Sequence, residues 1–112
     1  MMKDAQSQYL LVLTNVSDQT VATTLAHAIV ENKLAACVNI LPGIQSVYRW
    51  DGKTEQAAEV SMLIKTLSTR YAALEAYLHE HHPYDVPEII AVPVVAGLPA
   101  YLHWLEEQTG KE

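Results

Sequence analysis

Cysteine is nearly missing: Cys37 is the only one in 112 residues. No disulfide can form within the chain, and a reducing cytoplasm is the simplest location for it. Positive charge is also scarce. Seven Lys and Arg stand against thirteen Asp and Glu, for a formal net charge of −6, and the seven are spread singly from Lys3 to Lys111. No basic face can be built from them, which argues against a nucleic-acid or anionic-membrane surface. No apolar run reaches the ~18 residues of a membrane span. The opening "MMKDAQSQ" lacks the apolar centre of a signal peptide. A Gly-rich phosphate loop, an HExxH pair and a nucleophile elbow are all wanting, so the chain is expected not to be an enzyme.

Half of the residues are apolar and 18% are charged, the balance of a globular protein. The length suits one domain over residues 1–112, with 1–7 expected as a flexible tail. "YLLVL" (9–13) is a continuous apolar run and predicts a strand buried on both faces. "NVSD" is a turn in which Ser17 or Asp18 can cap a helix. Val21, Leu25, Ala28 and Ile29 recur at helical spacing up to about Asn32. "AACVNIL" starts a second strand, bent at Pro42-Gly43 and resumed by "IQSVYRW". Asp51-Gly52 is a two-residue hairpin signal, and "AEVSMLIKT" (58–66) returns. Thr69 opens a second helix with Tyr71, Leu74, Leu78 and His81 on one stripe, stopped by Pro83. "PEIIAVPVV" (87–95) predicts a fourth strand. Pro99 to Gln108 predicts a last helix closed by Gly110.

The order β-α-β-β-α-β plus a terminal helix is an α+β, ferredoxin-like arrangement with a four-stranded antiparallel sheet. Two helices cover one face of such a sheet. Strands one and four are nevertheless apolar at consecutive positions, where a half-solvated sheet should alternate. In a chain this short, the second face calls for another copy of the same chain.

Five segments carry a resemblance: "KLAAC" (33–37), "LPG" (41–43), "YRWDGK" (48–53), "EVSMLIKT" (59–66) and "HHPYDVPE" (81–88). In this order they resemble the CutA family of divalent-cation tolerance proteins over nearly the whole chain. The resemblance implies a ferredoxin-like homotrimer, cytoplasmic in bacteria, linked to tolerance of copper and other divalent metals. It also implies an architecture similar to the PII signalling trimers, with small ligands held in clefts between subunits.

The stretch "LHEHHPYDVPEII" (78–90) holds three of the five histidines. Adjacent residues on a helix point about 100° apart, but Pro83 pushes His82 towards an extended conformation that could re-aim its ring towards His81. His79 and His82 are also neighbours one turn apart. Imidazoles suit copper, zinc and nickel. The other reading is a helix C-terminus whose histidines meet the last free carbonyls. The resemblance places a copper site on the two adjacent histidines and a cysteine ending strand one, where this chain has Thr14. A hydroxyl is a poor ligand for Cu(I).

Lys65, Glu59 and Glu88 are charges within apolar strands. They mark either a solvated strand face or a polar cluster lining an inter-subunit cleft, with Tyr84 near its mouth. Tyr48 and Trp50 flank a hairpin tip and are expected to pack on a neighbouring subunit. His27 and His103 are expected at the surface. Two functions follow. One is a trimer of metal homeostasis that binds copper or a similar divalent ion weakly at His81 and His82. The other is a PII-like regulatory trimer that binds a small metabolite through Trp50, Glu59, Lys65, Tyr84 and Glu88.

Overall fold

The computed structural model describes residues 7–109. In chain order its elements are β1 (Tyr9–Val16), α1 (Gln19–Glu31), β2 (Cys37–Trp50), β3 (Lys53–Leu67), α2 (Tyr71–His81), β4 (Ile90–Pro93) and α3 (Pro99–Thr109). A 3-10 turn, Ser68–Arg70, leads into α2. The strands form one antiparallel sheet in the order β2-β3-β1-β4, the ferredoxin-like order. Of the expected tail, residues 1–6 lie outside the described residues, as does Gly110. The Ser7 hydroxyl donates to the Val94 carbonyl at 2.9 Å.

Helix α1 starts where its sequence has the means to start it. The Asp18 carboxylate accepts from the Val21 amide at 2.9 Å, satisfying one of the four free donors of the first turn. Its buried stripe is Ala22, Leu25, Ala26 and Ile29, turned slightly from the expected one because Val21 and Ala28 sit at its margin. The helix ends with Lys33 at φ 59°. The Leu34 amide reaches back to Ile29 O and the Lys33 amide to Val30 O, a left-handed cap usually given to glycine.

The hairpin between β2 and β3 is longer than the expected return strand over 58–66. Asp51 and Gly52 both have positive φ, 53° and 75°, which matches the right-handed twist of the strands and closes them directly, Trp50 opposite Lys53. Pairing then runs the full length of β3. Fourth-strand pairing is shorter than expected, confined to Ile90–Pro93. Proline cannot donate to a ladder, and β4 is an edge strand bounded by Pro87 and Pro93.

One face of the sheet carries Val12, Val16, Val60, Met62 and Ile64, all buried against the α1 stripe and Leu74 and Leu78 of α2. On the opposite face α3 covers one end only, where Leu105 packs with Leu67, Ala36 and Tyr9. The remainder of that face holds Leu11, Leu13 and Leu63, half-buried, with Leu41, Ile90 and Val92 exposed. Beyond Val60, where β1 stops pairing, residues 44–59 form a two-stranded arm bearing exposed Val47, Tyr48 and Trp50.

Candidate functional site

Where β1 ends, three other segments meet. Glu59 of β3 takes a hydrogen bond at 2.6 Å on each oxygen, from the Ser46 hydroxyl on one and the Tyr84 hydroxyl on the other. A bulge brings Ser46 there. Leu41 pairs with Ser61 but Ile44 pairs with Glu59, so one extra residue enters β2 at Pro42-Gly43, with Gly43 at φ 82°. A one-residue shift exchanges faces along a strand. Ser46, Tyr48 and Trp50 thereby share the face of Glu59 instead of pointing towards the helices. Burial, then the bond and charge of Glu59, then the charge of Tyr48 push the Tyr84 phenol up to about 12. Tyr84 is therefore a donor at every physiological pH.

His82 supports Tyr84 from behind. Pro83 holds it at φ −76°, ψ 143°, the extended conformation expected before proline. Its ring turns inwards and is buried. The Tyr84 amide donates to Nδ1 at 3.2 Å, so the ring proton belongs on Nε2, which donates to the Asn15 carbonyl at 2.9 Å. The Thr14 hydroxyl oxygen lies 3.2 Å from the same Nε2. Burial lowers the His82 pKa, outweighing the Asn15 bond and the charge of Glu59, which raise it.

His81 goes elsewhere. It was expected on one stripe with Leu74 and Leu78, which are buried, but it is itself exposed, at the last residue of the helix. Its ring stacks on Tyr77 with centroids 4.1 Å apart. Nδ1 lies 2.9 Å from the Tyr77 carbonyl, four residues back on the same helix, and Nε2 has no such bond among the described residues. Thr14 and His82 thus come together through a hydrogen-bond contact, while the rings of His81 and His82 share no partner among the described residues. Among the described residues no group of three or more His, Cys, Asp and Glu is placed to hold one metal ion. A copper ion on both histidines and Thr14 does not fit this donor set: both His82 nitrogens are committed, and a hydroxyl replaces the thiolate.

The remaining candidates separate. Glu88 accepts from the Asn15 side chain at 3.2 Å, next to the His82 contact. Lys65 stands six residues from Glu59 on the same strand, roughly 20 Å at strand rise, bonded to the Asn39 side chain and 3.8 Å from Cys37 Sγ. Trp50 is 57% exposed at the arm tip. His79 lines a cavity of about 500 Å³ with Glu75, Asp85, Val86 and Ile89, away from His82. Ser46 and Asn15 went unnoticed in the sequence. The bulge signal at Pro42-Gly43, followed through its change of face, was the means of finding Ser46.

A family model described as "CutA1 divalent ion tolerance protein" matches residues 10–108. The chain belongs to this family. The divalent-cation tolerance protein CutA of Thermus thermophilus is 46% identical over 100 residues, covering 89% of this chain and 97% of that protein. Its solved structure superimposes with a TM-score of 0.89 at 45% identity, over 91% of this chain and 99% of that one. Protein CutA of Mus musculus is 49% identical over 92 residues, 82% of this chain; the chain spans about half, 52%, of that relative's length. A CutA structure from Archaeoglobus fulgidus, described as a periplasmic divalent cation tolerance protein, has a TM-score of 0.87 at 36% identity, over 89% of this chain and 97% of that one. CutA membership accounts for the ferredoxin-like sheet and for a general link to divalent ions.

Proposed function

We propose that this CutA protein serves divalent-metal tolerance as a homotrimer, without catalysis, and that its ligand site is the cleft built on Glu59 and Tyr84. The observation that carries the reading is the placement of Glu59. Its carboxylate is held by two hydroxyls from separate segments, at the rim of an apolar face that the chain leaves open. Oriented polar groups beside apolar surface are the usual make-up of a small-ligand site.

The trimer is supported by the uncovered apolar face and by the two-stranded arm, since an isolated hairpin is marginal in water and needs something to pack on. A cytoplasmic setting is supported by the single cysteine and the acidic charge; the Archaeoglobus relative is described as periplasmic. A copper ion held weakly at His81 is the second reading, favoured only by its exposed Nε2, which has no hydrogen-bond partner among the described residues; the His82 half of the expected pair is committed to Asn15 and Tyr84.

Calorimetric titration with Cu²⁺, Zn²⁺ and a panel of small metabolites separates the two. The cleft reading predicts a ligand whose affinity falls roughly tenfold or more in Glu59→Gln, the scale of a lost hydrogen bond to a charged group, and is unchanged in His81→Ala. Binding of Cu²⁺ or Zn²⁺ alone, lost in His81→Ala and kept in Glu59→Gln, overturns it.

A further inference from the structure

We propose that His82 is a positioning residue: its imidazole pins the segment after α2 to the end of β1 and so holds the Tyr84 hydroxyl against Glu59, instead of offering a nitrogen to a metal. A neutral imidazole has one donor and one acceptor. Here the acceptor, Nδ1, receives the Tyr84 amide at 3.2 Å, and the donor, Nε2–H, goes to the Asn15 carbonyl at 2.9 Å. Neither nitrogen is left over. An ion at Nδ1 strands the Tyr84 amide; an ion at Nε2 strands the Asn15 carbonyl. Both backbone groups are part-buried, where loss of a partner costs free energy.

The bonds run in series. They pass from the Asn15 carbonyl through the His82 ring to the Tyr84 amide, then from the Tyr84 hydroxyl through Glu59 to the Ser46 hydroxyl. The His82 and Tyr84 rings also pack at 4.9 Å, tilted by 52°, which restricts where the phenol can point. Asn15 ties in Glu88 with its side chain while its carbonyl receives His82. One imidazole therefore couples the end of β1 to a group that β2 and β3 hold. The purpose of that coupling rests on the cleft reading above, but the pin is measurable without any ligand.

Nuclear magnetic resonance tests it. Long-range ¹H–¹⁵N spectra near neutral pH should show His82 protonated at Nε2, with Nδ1 an acceptor. Added Zn²⁺, or Ag⁺ in place of Cu(I), should leave the His82 ring signals where they are. Exchange of the Tyr84 amide should quicken roughly tenfold in His82→Ala, as for the loss of one hydrogen bond. It should return to near the wild-type rate in His82→Asn, whose side-chain carbonyl can take the place of Nδ1, and be unaffected in His81→Ala. A proton on Nδ1, metal-induced shifts at His82 with faster Tyr84 exchange, or equal exchange in the Ala and Asn variants would overturn the proposal. Should His82→Ala not fold, the wild-type spectra and His82→Asn still decide. Loss of ligand binding in Glu59→Gln speaks to the cleft alone, so the two ideas fail separately.

Discussion

The Tyr84 hydroxyl donates to a carboxylate that already receives Ser46, so its removal leaves Glu59 with one donor in place of two. Hydrogen bonds to charged groups are worth about 1.5–3 kcal/mol, reduced here by partial exposure. Tyr84→Phe should therefore cost about 1–2 kcal/mol in urea unfolding, and almost nothing once Glu59→Ala has removed the acceptor, as a double-mutant cycle would show. Additive losses would mean that the bond contributes nothing. His82 supplies a pH dependence at the same scale. Its folded pKa lies below the ordinary value of 6.5, so the native state binds fewer protons than the unfolded chain. Its contribution to stability is complete above about 6.5 and is lost as pH falls through the lowered folded value. Stability measured between pH 8 and pH 5 should fall, and His82→Asn should flatten that part of the curve. An unchanged slope in the variant would place the titration elsewhere.

Among the elements, the bulged β2 decides what the site contains. Removing Gly43 takes out the extra residue, restores one register along the strand, and turns Ser46, Tyr48 and Trp50 to the helix side. Its expected result is a folded core with the Ser46–Glu59 bond gone and the arm out of register, visible as lost cross-strand contacts between residues 44–50 and 53–59 in amide spectra. An intact arm pattern would show that the bulge is dispensable. The sequence made much of this legible. Asp51-Gly52 announced its turn, Pro42-Gly43 its bend, and the apolar runs at 9–13 and 89–92 an unanswered second face. Burial of His82 beside Thr14 was less legible, because it depends on which way one ring turns after Pro83. The separation of Lys65 from Glu59 within one chain was not legible for a simple reason: alternation tells which face a residue shares, and not how far along the strand it lies. The length of β3 was hidden because Glu55 and Gln56 carry no apolar period.

For the whole molecule, the proposed homotrimer rests on the apolar face that the single chain leaves uncovered. Val92 is 40% exposed in the single chain and lies opposite Leu11 on that face. Val92→Asp should leave the fold intact, because β4 is a four-residue edge strand and Val92 is exposed in the single chain, yet separate the copies, since a carboxylate in an apolar interface must be desolvated without a partner. Its circular dichroism should match that of the wild type while its mass drops. The most direct measurement is the mass of the wild-type protein itself, by light scattering at micromolar concentration. Three chains of 12.4 kDa each in one particle, with no folded single chain beside it, is the result predicted by a homotrimer closed over this face. A well-folded particle of one chain would contradict it, and the inter-subunit cleft on Glu59 and Tyr84 would fall with it.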